Sequence, residues 1–157
     1  VLIGMPFSGK TTIGKWLKNY FTSKEFYDVD EIIEEKYGSI SKIFSDKGEE
    51  EFRKLEEEVT LELSTKQNAI IATGGGTILS EKNVRRLKHL GVLIFLDRDV
   101  DSLCVSDGRP LARSKSDLES LYQKRYDKYL KTCDLIIKEN NLDKCYQECV
   151  KIITNIK

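Results

Sequence analysis

The sequence predicts an α/β fold in which a parallel sheet is covered by helices on both faces. Two observations carry this. Short apolar runs, rich in Val, Ile or Phe and bounded by Gly or Asp, read as strands, and longer amphipathic runs lie between them. Strands separated by helices need crossover connections, which produce a parallel sheet with helices on each side. Ligands of such folds bind outside the carboxyl ends of the strands, so strand-end motifs are the ones to examine.

The elements follow in order. Val1–Ile3 is the first strand, and Ile13, Trp16, Leu17, Tyr20 and Phe21 share one face of the helix after Lys10. Glu25–Tyr27 is the second strand. Phe52, Leu55, Val59 and Leu63 mark a long helix that opens acidic at Glu49-Glu50-Glu51, which suits a helix N-terminus. Ala69–Thr73 is the third strand and Val92–Leu96 the fourth. Leu118, Leu121, Tyr122 and Tyr129 mark another helix, Leu135–Lys138 the fifth strand, and the last helix runs from about Leu142 to Ile156. Pro6 and Pro110 are the only prolines, and both fall in loops.

The 157 residues make about one average domain, and 39% are hydrophobic, enough for one core. Lys plus Arg number 26 and Asp plus Glu 26, a formal net charge of zero. That balance argues against a nucleic-acid-coating protein but is compatible with a local basic pocket for a small anion. No apolar run approaches the ~18 residues of a membrane span. No signal peptide is visible, and no membrane partner is expected. The opening of the chain on Val1, inside an apolar run, predicts a start upstream of it. The four cysteines, Cys104, Cys133, Cys145 and Cys149, form no CxxC pair, and only His89 could join them in a zinc site. Cys145 and Cys149 share a helical face with Leu142, Tyr146, Val150 and Ile153. They read as reduced core residues, which fits a cytoplasmic protein. His89 lies near a helix end before Gly91, where a contact with the C-terminal dipole is the favoured reading.

Gly4-Met5-Pro6-Phe7-Ser8-Gly9-Lys10-Thr11 matches G-x4-G-K-[ST] in full, between a strand and an amphipathic helix, the context a phosphate-binding loop requires. Backbone N–H groups around Ser8 and Gly9 must point at phosphate oxygens, and the helix beginning near Lys10 adds its positive dipole end. The Lys10 ammonium reaches the terminal phosphates and the Thr11 hydroxyl can ligate Mg²⁺. A nucleoside triphosphate, ATP, is the expected ligand of Phe7, Ser8, Gly9, Lys10, Thr11 and Thr12.

Asp28-Val29-Asp30 ends the second strand. Asp28 with Glu31 reads as a helix N-cap pair; the functional reading places one carboxylate near Mg²⁺ and the other on an acceptor hydroxyl, as base or orienter. Gly74, Gly75 and Gly76 directly follow the third strand, and three glycines in a row suggest close approach of backbone to a ligand. Arg125 falls on the apolar face of its helix and so needs an anionic partner, a buried acid or a ligand carboxylate. Arg53 can form an exposed helical pair with Glu49 or Glu57. Arg109, in the turn-rich Ser106–Leu111, is a candidate lid residue that closes on the phosphates. Asp97, ending the fourth strand, imitates a metal-binding strand-end aspartate.

Taken together, GMPFSGKTT (4–12), FYDVD (26–30), ISKIFSDKGEEEFRKLEEE (40–58), ATGGG (72–76), RPLA (109–112) and YQKRYDKYL (122–130) resemble the shikimate kinase family, in family order and across essentially the whole chain. The resemblance implies a P-loop fold like that of the nucleoside monophosphate kinases, three-layered, with five parallel strands in the order 2-3-1-4-5. It implies one kinase domain over 1–157, with a shikimate-binding helical segment at about 28–60 and a lid at about 101–116. It implies transfer of the ATP γ-phosphoryl group to the 3-hydroxyl of shikimate by a monomer in aromatic amino-acid biosynthesis. By matching position, Lys10 contacts the phosphates, Thr11 ligates Mg²⁺ and Asp28 supports the metal through water. Asp30 binds the shikimate hydroxyls and is the base. Arg53, the Gly74–Gly76 loop and Arg125 hold shikimate, the two arginines on its carboxylate, and Arg109 comes from the lid onto the phosphates. The strand next to the phosphate loop is the one ending at Gly74, which takes the metal role away from Asp97. The acidic excess is expected elsewhere than this strand-end pocket, notably over Glu49–Glu51 and Glu56–Glu58.

Three features depart from the family pattern. Phe7 stands where a small residue is usual. The segment from Asp101 to Gly108 is short and lacks an additional lid arginine. No residue of Glu139-Asn140-Asn141 is assigned to adenine. The competing readings are a kinase for another small hydroxy acid, such as gluconate, and a non-catalytic nucleotide-binding relative. The Arg53/Arg125 pair disfavours the first, and intact Lys10, Thr11, Asp28, Asp30 and Arg109 disfavour the second.

Overall fold

The five apolar runs become five parallel strands in a computed structural model that describes residues 1–105 and 108–156. The elements are β1 (Leu2–Ile3), α1 (Lys10–Tyr20), β2 (Glu25–Asp28), α2 (Val29–Tyr37), α3 (Ile40–Leu63), β3 (Ala69–Ala72), α4 (Glu81–Leu90), β4 (Ile94–Asp97), α5 (Lys115–Thr132), β5 (Leu135–Lys138) and α6 (Leu142–Asn155). The sheet order is β2-β3-β1-β4-β5, as the resemblance implies. In register, Leu2 of β1 lies between Ala72 of β3 and Ile94 of β4.

The period-two rule of strands sorts the core onto two faces. Leu2, Ile70, Ile94, Leu96 and Ile137 point to one side, under Ile13 and Leu17 of α1 and Cys145 and Cys149 of α6. Ile3, Ile71 and Phe95 point to the other, where α3 contributes Phe52, Val59 and Leu63 and α5 contributes Leu118 and Tyr129. Each fully buried aliphatic side chain stabilises the fold by roughly 1.5–3 kcal/mol. Because the three central strands are covered on both faces, ligands meet that part of the sheet at its ends.

Helix ends sharpen that conclusion. Asp28, Ser80, Ser114 and Asn141 cap α2, α4, α5 and α6 with their side chains, and Ser114 completes a capping box with Asp117. The first turn of α1 receives no side-chain cap; its N-cap is Gly9 at φ 90, a left-handed conformation that glycine adopts without a Cβ penalty. Its first N–H groups therefore stay open toward the strand ends.

Several expectations are adjusted. The fourth strand is Ile94–Asp97 rather than Val92–Leu96. The long helix does open at Glu49: Gly48 has φ 82 and ψ 172, which breaks α3 into two helical pieces. No apolar pattern marks α4 in the sequence, because its core-facing residues are Val84, Leu87 and Leu90 among charged neighbours; the helix end read at His89 before Gly91 is realised, His89 lying in the last turn. Cys145 and Cys149 are buried and unlinked, whereas Cys104 is exposed. Among the described residues no helix is long and apolar enough to cross a membrane.

Candidate active site

The phosphate half is built at the exit of β1. Lys10, nearly buried, folds its ammonium back into the loop and donates to the Gly4 carbonyl at 2.9 Å, the Met5 carbonyl at 2.7 Å and Ser8 Oγ at 3.3 Å. Burial pushes its pKa down to about 7, and the nearby Arg109 guanidinium pushes the same way. Phe7 adopts φ 64, unusual for a residue with a side chain, which explains why a small residue suits this position. Phe7, Gly9, Lys10, Thr11 and Thr12 line an open cleft of about 460 Å³, together with Asp28, Asp30 and Arg109.

The capping and functional readings of Asp28 are both met, one by each oxygen. Oδ1 accepts from the N–H groups of Asp30 at 2.9 Å and Glu31 at 3.1 Å, while Oδ2 accepts from Thr11 Oγ1 at 2.5 Å. Burial raises the Asp28 pKa, against the Thr11 hydrogen bond that lowers it. Two hard oxygen donors thus sit side by side in the cleft, a donor set that fits Mg²⁺.

The acceptor half adjoins it. A cavity of about 50 Å³ is lined by Asp30, Arg53, Glu56, the Gly74–Gly76 loop, Arg109 and Arg125, with Pro110, Leu111 and Ala112 pressed against it. The expected convergence of Asp30, Arg53, the glycines and Arg125 is therefore realised. The glycines are explained by close approach. A Cβ on Gly74 would lie 2.8 Å from Asp30 Oδ1 and Glu56 Oε1, one on Gly75 2.7 Å from Pro6 Cδ, and one on Gly76 2.4 Å from both terminal nitrogens of Arg53.

Arg53 pairs with Glu49 at 3.2 Å, as helical spacing predicts, and with Glu56 at 2.8 Å. Glu57, the other candidate, instead accepts from Ser80 Oγ at 2.7 Å, because it points to the flank of α3 that faces α4. Glu56 corrects the placing of the acidic run away from the pocket: it lines the acceptor cavity, is 1% exposed and also accepts from Thr77 Oγ1 at 2.5 Å. Burial raises its pKa, opposed by the Arg53 guanidinium. The signal was present, since Glu56 lies four after Phe52 and three before Val59 on the apolar face.

Arg109 is not on the phosphate loop here. Its guanidinium is ion-paired with Asp30 Oδ2, although it borders both cavities. Ser106 and Asp107 of the expected lid lie outside the described residues; Leu103 and Ala112 on either side are core residues. Asp97 is occupied by the hydroxyls of Tyr122 at 3.1 Å and Tyr126 at 3.4 Å and does not border the cleft. Its strand does flank β1, as β3 does on the other side, so proximity to the phosphate loop does not discriminate the two. Tyr129, read only as an apolar helix position, is fully buried and donates to the Gly75 carbonyl at 2.5 Å.

Two groups facing the small cavity are left unmatched. Arg125 is 5% exposed, yet no carboxylate of the described residues lies within salt-bridge distance of it. Asp30 Oδ1 is buried and has no hydrogen-bond partner among the described residues. A buried cation and a buried acceptor in one cavity call for a ligand that carries both an anion and a donor.

The comparisons with known proteins converge on the same chemistry. The sequence model of shikimate kinase matches residues 6–156. A shikimate kinase of Clostridium botulinum (strain Alaska E43 / Type E3) is 40% identical over 98% of this chain and 96% of its own length. One of Nitrosospira multiformis is 39% identical over 87% of this chain and 74% of its own. Among solved structures, shikimate kinase from Acinetobacter baumannii in complex with shikimate superposes with a TM-score of 0.91 at 31% identity, covering 99% of this chain and 93% of that one. Shikimate kinase from Aquifex aeolicus gives 0.82 at 36% identity, covering 98% and 94%. Thymidylate kinase from Candida albicans, at 0.61 and 16% identity over 98% of this chain and 89% of its own, shares the fold. With the sheet order, the phosphate loop and the matched length in agreement, this chain belongs to the shikimate kinase family.

Proposed function

We propose that this chain transfers the γ-phosphoryl group of ATP to the 3-hydroxyl of shikimate, giving shikimate 3-phosphate and ADP. The observation that carries the reading is the unmatched pair in the acceptor cavity. Arg125 supplies a cation for the carboxylate, and Asp30 Oδ1 supplies an acceptor for a hydroxyl. Arg53 joins Arg125 on the carboxylate, since planar guanidinium groups suit bidentate recognition.

In the proposed reaction Asp30 accepts the proton of the 3-hydroxyl as that oxygen bonds to the γ-phosphorus and the bond to the ADP oxygen breaks. Lys10, turned from the loop carbonyls to the phosphates, and Arg109, turned from Asp30, compensate charge on the transferred group. Thr11, directly, and Asp28, through water, would hold Mg²⁺, which when bound neutralises charge across the β- and γ-phosphates. Arg109, Pro110 and Leu111 line the acceptor cavity from the lid side, where they would close over the bound ring. The segment at about 101–116 acts as the lid and that at about 28–60 as the acceptor-binding part of one kinase domain. Every group named comes from one chain, so a monomer suffices, working in the cytoplasm.

The test is ADP release by the purified protein with ATP and Mg²⁺, run with shikimate, quinate or gluconate. Release that depends on shikimate is expected. Release with gluconate and not with shikimate would sink the proposal.

A further inference from the structure

The hydroxyl of Tyr129 holds a group that neither the reaction nor the phosphate loop accounts for. Tyr129 lies one helical turn after Arg125 on α5, fully buried, and does not border the acceptor cavity. Its ring stacks on Phe95 of β4 at 4.8 Å between centroids and 18° between planes, which fixes where the hydroxyl points. That hydroxyl donates to the Gly75 carbonyl at 2.5 Å. Burial raises the phenol pKa, so the group remains a donor at neutral pH.

The consequence comes from peptide geometry. In a planar trans peptide the carbonyl of one residue and the N–H of the next point in opposite directions. Drawing the Gly75 carbonyl onto the Tyr129 hydroxyl turns the Gly76 N–H away from that hydroxyl, and Gly75 and Gly76 line the acceptor cavity together with Arg53 and Arg125. No acceptor for the Gly76 N–H exists among the described residues. The loop closes as a turn in which the Thr77 N–H donates to the Gly74 carbonyl at 3.2 Å, and with glycine at both central positions the Gly75–Gly76 peptide can turn over inside it without steric penalty, so the Tyr129 hydroxyl adds the preference for one orientation. Pro6, against which Gly75 packs, bears on the other side of the same loop.

We infer that Tyr129 is a positioning residue for acceptor binding: its hydroxyl orients the Gly75–Gly76 peptide so that the Gly76 N–H presents a fixed donor to the substrate carboxylate between the two arginines. Arg125 and Tyr129 then act from one helix face, one through charge and one through the glycine loop. The inference rests on the acceptor site proposed above.

The experiment uses Tyr129→Phe, which keeps the ring and its stacking and removes one oxygen. Steady-state KM values for shikimate and ATP are measured with thermal melts, beside Phe95→Leu, which loosens the stack but keeps the hydroxyl, and Arg125→Ala. For Tyr129→Phe the shikimate KM should rise roughly tenfold, the size of effect expected for loss of one hydrogen bond to a charged carboxylate, with the ATP KM changed less than about twofold. Phe95→Leu should lower the melting temperature with a smaller change in shikimate KM. An unchanged shikimate KM in Tyr129→Phe, or equal rises for both substrates, overturns the inference. So does a shikimate KM that follows the melting temperature across Tyr129→Phe and Phe95→Leu. If Arg125→Ala also leaves the shikimate KM unchanged, the acceptor site itself is misplaced; if only Tyr129→Phe does, the positioning role alone fails.

Discussion

Nucleotide binding should draw a proton from solution, and Lys10 is the reason. Lys10 is 7% exposed, and burial lowers its pKa from 10.5 to about 7. Against a pKa of about 7, roughly half of the empty protein lacks this proton at pH 7 and about nine-tenths at pH 8. Phosphate oxygens beside the amine restore the charged form, so binding is accompanied by proton uptake. The phosphates of ADP are ionised above their second pKa of about 6 and contribute little at pH 8. Titration calorimetry with ADP in buffers of different ionisation enthalpy should therefore register an uptake of about 0.9 proton at pH 8, and affinity should fall about fivefold from pH 7 to pH 8. Lys10→Arg, whose guanidinium does not deprotonate, should abolish the uptake. Stability carries the complementary sign. A base whose folded pKa lies below its unfolded value destabilises the fold below about pH 7, and that penalty is relieved as pH rises from about 7 toward 10.5. No proton uptake at pH 8 by the wild-type protein would refute the reasoning.

Two further outcomes test the site's geometry. Gly76→Ala places a methyl group 2.4 Å from the end of the Arg53 side chain, which is free to move, so the fold should survive while the shikimate KM rises roughly tenfold and the ATP KM holds; an unchanged shikimate KM would remove Arg53 from the acceptor site. Asp28→Asn keeps a good helix cap, so stability should change by less than about 0.5 kcal/mol, while the Mg²⁺ concentration for half-maximal activity should rise several-fold; unchanged Mg²⁺ dependence would leave Asp28 as a cap only.

How far the sequence spoke can be read residue by residue. Periodicity placed the strands and most helices because burial on both faces of a sheet leaves a strong apolar signal. It missed α2, and it missed α4, where Val84, Leu87 and Leu90 among charged residues are too few to stand out. Arg125 was recognised as a charged residue on an apolar face. The same reasoning applied to Glu56 would have found it, but the run Glu56-Glu57-Glu58 reads as surface unless each position is set on the helix. The role of the Tyr129 hydroxyl was out of reach, since helical spacing reports that a tyrosine is buried and not which carbonyl its oxygen meets. The ion pair of Arg109 with Asp30 was equally hidden, because a loop arginine's partner depends on how the loop folds back.

Those pairings change the meaning of the chain's zero net charge. In this structure the site neutralises itself. Lys10 is bonded to its own loop, Thr11 to Asp28, Arg53 to Glu56 and Arg109 to Asp30. Binding is then an exchange of partners, in which a ligand must offer each group an interaction at least as good as the one it gives up. Phosphates meet that requirement at Lys10 and Arg109. At the acceptor end the exchange is needed only in part, because Arg125 has no carboxylate partner among the described residues and Asp30 Oδ1 has no donor. A ligand with a hydroxyl but no carboxylate satisfies one of them and leaves a buried cation unmatched, and one with a carboxylate alone leaves the buried oxygen without a donor. Selectivity for a hydroxylated acid follows from the penalties on the wrong ligands as much as from contacts with the right one.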